Sequence, residues 1–344
     1  MRCYLLMADG EDEERIALAL RHKMKELYGK SKIYFLSFQR PGTFAALGFA
    51  EVSKERPQAT HKRWFALLRD LWRRRRFRER RVFIGRNLWL LALVVLFGGR
   101  KVTVVLPLGG HPFAPSAFWM SLLRRLARVV FADDALFVQE LRNRNIPAYF
   151  VGNLLADLVE VSGAPFLHGK KPICALFPRK DHLREDLGFF LELAEQVAIC
   201  NLSLYFLCNV PRGVSIEAVR SIAFEKGWVF LESFEGEVIE GYLVHRKAYL
   251  NLTRFASEAL CEATYVVSAD RRVLIQAVGL GKTVVPVQVG KAAETAELFS
   301  HPVALFEYNQ AMGAQFGKRG AIERIASFLL FGVVEDPAFI HRLR

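Results

Sequence analysis

The sequence predicts two α/β domains in tandem, each a doubly wound parallel sheet. Three observations carry that prediction. Short apolar runs alternate with amphipathic stretches along the chain. The alternation stops once, in a stretch with no apolar period, and then restarts. The length, 344 residues, suits two domains of the usual ~100–200 residues each. Strands that are covered by helices on both faces read as short continuous apolar runs, as these do.

CYLLM (3–7) is the first strand candidate, followed by Ala-Asp-Gly and a helical pattern from Glu11 to about Tyr28, where Gly29 is a natural stop. KIYFLSF (32–38) is the second. RRVFIG (80–85), a helix over 87–97 and KVTVVLPL (101–108) repeat the unit. ARVVFA (127–132), a short helix ending near Asn145, and AYFVG (148–152) repeat it again. VSGAPFLHGKKP (161–172) lacks a period and carries Gly, Pro and charge, so it reads as a linker. Beyond it come ICALF (173–177), a helix over 183–200, LSLYFLC (202–208), a helix over 215–226 and WVFLE (228–232). A helix around 253–262, TYVVSA (264–269), a helix over 271–279 and TVVPVQV (283–289) follow, and 319–343 reads as helix interrupted at Pro337. The expected division is 1–160, linker 161–172 and 173–344, with a cleft between the domains. Ligands of such sheets bind beyond the carboxyl ends of the strands, where loops and helix N-termini present free N–H groups.

Composition narrows the class. Hydrophobic residues make up 52% of the chain and the mean hydropathy is +0.16, yet no apolar run reaches the ~18–20 residues of a membrane-spanning helix. The longest, LWLLALVVLF (88–97), is cut by Gly98-Gly99-Arg100-Lys101 and reads as a buried helix. The N-terminal apolar stretch is too short for a signal peptide and runs into acid, so a cytoplasmic location is expected. Five scattered cysteines without a CxxC pair read as thiols, and eight histidines show no ligand spacing, so neither a metal nor a cofactor is expected. The net charge of +13 attracts anions, whether nucleic acid, lipid headgroups or phosphorylated small molecules. No base-reading module is visible, so nucleic acid is not an expected partner.

Four stretches bear on chemistry. GLGKT (279–283) is not a phosphate loop: Gln276 stands where the first glycine is required, and the run closes a helix instead of opening one. KRWFALLRDLWRRRRFRERR (62–81) repeats Trp64, Phe65, Leu68, Leu71 and Trp72 at helical spacing, with Arg73, Arg74 and Arg76 among the surrounding arginines. Such a helix can lie on an anionic membrane surface, or pack its stripe on its own domain with a solvated basic face. In MADGEDEER (7–15), Asp9 can cap the helix opened by Glu11 and Asp12. A carboxylate there could equally take the proton from an attacking hydroxyl. In FVGNLLADLVE (150–160), Gly152 permits a tight turn and Asn153 can hydrogen-bond backbone beside the linker.

Taken together these stretches resemble the lipid-A-disaccharide-synthase-related family, glycosyltransferases of the GT-B fold with two Rossmann-like domains. VVFADDALFVQELRNRNIPAYFVGNLLADLVE (129–160) looks like the family segment ending in Val-Gly-Asn-Pro-x-x-Asp. Val151, Gly152, Asn153 and Asp157 match, and Leu154 replaces the proline. IQAVGLGKTVV (275–285) is similar to a family motif from Gln276 to Lys282, and Gly10, Glu11 and Asp12 resemble its opening loop. The stretch 83–105 resembles the family's strand, turn and apolar helix, with Gly85 kept and Arg86 in place of an acid. The resemblance implies a UDP-sugar donor, of hexosamine type, on the C-terminal domain. It implies a lipid-linked acceptor at the N-terminal one, and transfer without a bound metal. It places the general base among Asp9, Glu11 and Asp12, with Gly10, Gly85, Gly152 and Asn153 at the cleft or hinge.

The chain also departs from the family. A small-residue run ending in a carboxylate becomes Arg271-Arg272-Val273-Leu274-Ile275, and a Pro-Gly-Ser-Arg turn becomes Phe177-Pro178-Arg179-Lys180. Two readings follow. Arg179, Lys180, Arg271 and Arg272 grip the diphosphate in place of backbone N–H groups, with Gln276 on the nucleotide. Alternatively, the pocket is filled and the chain is a non-catalytic relative that binds an anionic ligand, a membrane or a protein.

Overall fold

The computed structural model describes residues 2–40, 42–52, 69, 71–74, 79–99, 101–109, 116–160, 172–233, 238–287 and 290–333. The chain forms two compact units. One runs to Leu158 and is rejoined at Gln315; the other spans Val159–Ala314.

The first unit is built on six parallel strands, β1 (Cys3–Ala8), β2 (Lys32–Ser37), β3 (Arg80–Ile84), β4 (Val102–Leu106), β5 (Ala127–Ala132) and β6 (Ala148–Phe150), in the order β2-β1-β3-β4-β5-β6. Its helices are α1 (Glu11–Leu27), α2 (Thr43–Ala46), α3 (Leu88–Gly98), α4 (Ala117–Leu126), α5 (Ala135–Asn143) and α6 (Leu154–Asp157). The two-residue period of each strand splits the core between two faces. Leu5 and Met7 join the layer under α3, α4 and α5, while Tyr4, Leu6 and Ala8 face α1 and a terminal helix.

The second unit has seven strands, β7 (Ile173–Phe177), β8 (Tyr205–Asn209), β9 (Val229–Glu232), β10 (Gly241–His245), β11 (Ala248–Thr253), β12 (Tyr265–Ser268) and β13 (Thr283–Val285). They lie in the order β13-β12-β7-β8-β11-β10-β9. Its helices are α7 (Leu183–Ile199), α8 (Ile216–Glu225), α9 (Ala256–Glu262), α10 (Arg271–Gly279), α11 (Ala292–Leu298) and α12 (Pro302–Phe316). At the β13 edge the Asn309 amide pairs with both Val284 backbone groups, accepting at 2.7 Å and donating at 2.9 Å. That contact covers polar groups an edge strand would leave open.

Two departures from the sequence reading change the architecture. β10 runs antiparallel to both of its neighbours, in a hairpin turning at Arg246-Lys247. Arg246 takes a φ of +51° there, a conformation for which Gly or Asn would have been the sequence signal. The final helix, α13 (Ala321–Phe331), packs in the first unit and not in the second, where the division at 173–344 had put it. Its apolar face (Ile322, Ile325, Ala326, Leu329) fills the layer over Tyr4, Leu6 and Phe131. Polar bonds fix its register. The Tyr4 hydroxyl donates to Leu329 O at 2.8 Å, and the Asp157 carboxylate accepts from Gly320 N (2.7 Å) and Ile322 N (2.8 Å) at the helix start.

Candidate functional site: the two topological switch points

In an open parallel sheet the crevice opens where the strand order reverses. In the first unit the chain leaves β1 for β2 on one side and returns to β3 on the other, so the switch point lies between the ends of β1 and β3. Asp9 and Gly10 follow β1, and Gly85, Arg86 and Asn87 follow β3. In the second unit the reversal lies between β7 and β12. Arg179 and Lys180 follow one, Arg271 and Arg272 the other, and Ser268↔Phe177 is the last pair of the ladder between them. The residues singled out in sequence therefore fall at both reversals.

At the first reversal the Asp9 carboxylate accepts from the Asn87 amide at 3.0 Å and from the Arg86 amide, and burial raises its pKa. Gly85 is needed for this packing: a Cβ there would stand 2.3 Å from Asp9 Cβ. Glu11 is exposed, 3.4 Å from the Arg40 guanidinium, and Asp12 is half-buried. The carboxylate that sequence reasoning passed over is Glu13. It is buried beside Gly10, and that burial raises its pKa, against the pull of Arg86 and with the repulsion of Asp9 and Asp12 behind it. A signal existed. Gly10 caps α1 without a side chain, and Glu13 holds the third helical position, from which an acid reaches back over the helix start. Glu14, next to it, is tied to Ser37 Oγ and to Arg40, both at 2.5 Å.

At the second reversal Arg179 is committed locally. Its amide (2.7 Å) and Nε (2.9 Å) donate to Asp186 Oδ2 and its Nη2 (2.7 Å) to Oδ1, closing the turn onto α7. Those contacts raise the Arg179 pKa further. Lys180 is exposed over the loop after β8, within 3.3 Å of where a Gly213 Cβ would be. Asp270 caps α10 by accepting from Arg272 N at 2.9 Å, and Ser268 Oγ bonds Phe177 O at 2.7 Å, so the two loops are fastened together. Arg271 is exposed; Arg272 and Gln276 are half-buried, one turn apart on the same helix. Phe177, Leu274 and Ile275 are all buried, Phe177 and Leu274 in the apolar layer that also holds Ala259 and Ala277.

Gly152 and Asn153 serve docking within the first unit. Gly152 has φ +86°, and a Cβ there would come within 2.7 Å of Lys318 O; Asn153 N donates to that same oxygen at 3.0 Å. With Asp157, the motif 151–157 seats the start of α13.

Of the basic stretch, Trp64, Phe65 and Arg76 lie outside the described residues. Leu71 is in the core, Trp72 is 56% exposed with its ring 6.4 Å from Phe97, and Arg73 is exposed. Arg74 is not on the outward face: it is half-buried over the Tyr34 ring at 4.5 Å and paired with Glu79 at 2.5 Å. Next to Trp72, α3 and α4 present Trp89 (67% exposed), Leu96 and Phe118, with Trp119 edge-on to Trp89 at 4.7 Å. The expected buried helix is thus buried on one side only. No helix among the described residues is long and apolar enough to cross a membrane, and none of them form a group of metal-ligating side chains.

No protein-family model matches the chain, and no curated protein matches it significantly. Solved structures do. A proposed UDP-N-acetylglucosamine 2-epimerase from Listeria monocytogenes aligns over 98% of this chain and 99% of its own, with a TM-score of 0.65 at 14% identity. UDP-GlcNAc 2-epimerase from Neisseria meningitidis, solved bound to UDP-GlcNAc, covers 96% of this chain and 100% of its own (TM-score 0.61, 13% identity). A glycosyltransferase from Rickettsia africae covers 96% and 99% (TM-score 0.57, 10% identity). The fold is therefore that of the GT-B enzymes, two Rossmann-like units over the whole chain.

Proposed function

We propose that the chain is a glycosyltransferase that moves a sugar of hexosamine type from a UDP-sugar to a lipid-linked acceptor, as the resemblance to the lipid-A-disaccharide-synthase-related family implies. The observation that carries this reading is α3. It begins directly at the first unit's switch point and leaves Trp89 and Leu96 on the surface, Trp89 against Trp119 of α4 where Phe118 is also exposed, and Arg73, Arg124 and Arg125 are exposed as well. An apolar face with a basic rim suits an acyl chain below an anionic headgroup, and the inner face of a membrane supplies both. A water-soluble sugar nucleotide would need no such face.

In this reading the diphosphate lies at the start of α10. The helix dipole, Arg271, Arg272 and Lys180 stabilise it as leaving group, Gln276 touches the nucleotide, and Arg179 acts through the turn it holds on Asp186. The base belongs to the acidic loop of Asp9, Glu11, Asp12 and Glu13. Glu13 is favoured, because burial raises its affinity for a proton.

Epimerisation of the sugar nucleotide is the second reading, favoured by the 2-epimerases among the structural neighbours. A non-catalytic binder is the third, and the closed Arg179–Asp186 pair speaks for it. One experiment separates them: incubate the protein with UDP-GlcNAc, with and without a lipid-linked sugar in detergent, and follow products by chromatography and mass. Acceptor-dependent release of UDP, with the acceptor gaining one sugar, is the expected result. A C2 epimer formed without acceptor would replace transfer by epimerisation, and unchanged UDP-GlcNAc in both arms, with no heat in a companion calorimetric titration with UDP, would leave a binder of another anion.

A further inference from the structure

The opposite end of the first sheet carries a second concavity, of about 360 Å³. It is lined by Arg2, Arg80, Lys101 and Arg128, which stand at the amino ends of β1, β3, β4 and β5, four consecutive strands of the sheet. The last turn of α13, with Phe328 and Phe331, supplies an apolar side. Strands of five residues at about 3.3 Å each put it about 16 Å from the Asp9 loop, so it is no part of the switch-point site.

Packing accounts for only part of its charge: Arg2 and Arg80 hydrogen-bond the Tyr4 hydroxyl. Arg80 spends one N–H on Leu329 O at 2.7 Å. No described carboxylate makes an ion pair with Arg2, Arg80, Lys101 or Arg128, whereas Arg144 is paired with Glu140, Arg184 with Glu225 and Lys226 with Glu192. The acid in the lining, Glu79, is already paired with Arg74. All four side chains are exposed, so solvent screens their mutual repulsion, and together they give the hollow a positive potential that attracts anions. The α13 carbonyl end favours cations nearby, but that effect is limited to the last turn and its Leu329 oxygen is already met by Tyr4 and Arg80.

We propose that this concavity is a binding site for a phosphate-bearing anion, with arginine forks on the phosphate oxygens and the attached group against Phe328 and Phe331. The phosphate could be that of a free metabolite or of a lipid headgroup, and the test separates the two. The full-length protein is titrated with pyrophosphate in the presence of saturating UDP, and sedimented with phosphatidylglycerol and with phosphatidylcholine vesicles. Lys101→Gln and Arg128→Gln are combined, since neither side chain bonds a described carboxylate, and near-ultraviolet circular dichroism checks that the fold is kept. The expected result is a loss of pyrophosphate affinity of about tenfold for two charges removed, on the scale of charge-assisted bonds. Loss of phosphatidylglycerol sedimentation alone would make the ligand a headgroup. Unchanged pyrophosphate affinity together with unchanged sedimentation would overturn the site.

Discussion

Glu13 and Asp133 show how burial decides what a carboxylate does. Both sit behind carboxyl ends of β strands, and neither looks unusual in a sequence with 35 acidic residues. Burial raises the pKa of Glu13, which favours its protonated form relative to an exposed glutamate. Glu13→Gln should lower kcat of sugar transfer by about 10²–10⁴ with little change in UDP affinity, and should remove the acid limb of the pH–rate profile. An unchanged limb would return the role to Asp9. Asp133 is fully buried, accepts from Leu108 N at 2.8 Å, and has its pKa pushed up to about 7 by desolvation. The folded state then holds a proton that the unfolded chain releases near pH 4, so stability falls as pH rises from about 4 to about 7 and is level above. Asp133→Asn keeps an acceptor for Leu108 and loses the charge. Urea unfolding should show that slope flattened and a gain at pH 8 bounded by about 4 kcal/mol, from a shift of about three units.

At the scale of elements, the motif 151–157 gains a physical meaning that its sequence does not state. Asp157 accepts two amides at the start of α13, and Gly152 lets the chain pass close enough for Asn153 to bond Lys318 O. Asp157→Ala should cost about 1 kcal/mol, because it strips two part-buried N–H groups at the helix start of their acceptor. Hydrogen exchange should rise first at 320–323. Uniform exchange across the unit would mean that α13 does not depend on this cap. The strand–helix alternation was legible because doubly covered strands are apolar throughout. The β10–β11 hairpin was not, because Arg246-Lys247 at its turn carries none of the Gly or Asn chemistry that marks such turns.

For the molecule as a whole, a net charge of +13 and an apolar-aromatic surface on α3 and α4 act together. In the proposed function, charge would draw the protein toward an anionic surface over a Debye length of ~10 Å and apolar insertion would hold it there. Replacing Trp89 by Ser and Leu96 by Glu should abolish most sedimentation with phosphatidylglycerol vesicles while the melting temperature stays within a few degrees, since both side chains are largely exposed. Wild-type binding should weaken, without vanishing, as salt is raised. Binding that is indifferent to both substitutions would place the contact elsewhere on the protein.

Periodicity and turn chemistry in the sequence determined the two α/β sheets, most of their strands and the loops at which a ligand would bind, but not the antiparallel hairpin of the second sheet. These are local properties, written in runs of a few residues. Which side chains at those loops remain available was decided only by tertiary structure. Arg179 turns back onto Asp186, Phe177 and Leu274 turn into the core, Glu13 sinks beside Gly10, and α13 crosses back to cover the first sheet. The seat of α13 depends on partners distant in sequence, and the burial of Phe177 and Leu274 on a face chosen by packing, while Arg179 and Glu13 find local partners among several that the sequence leaves open.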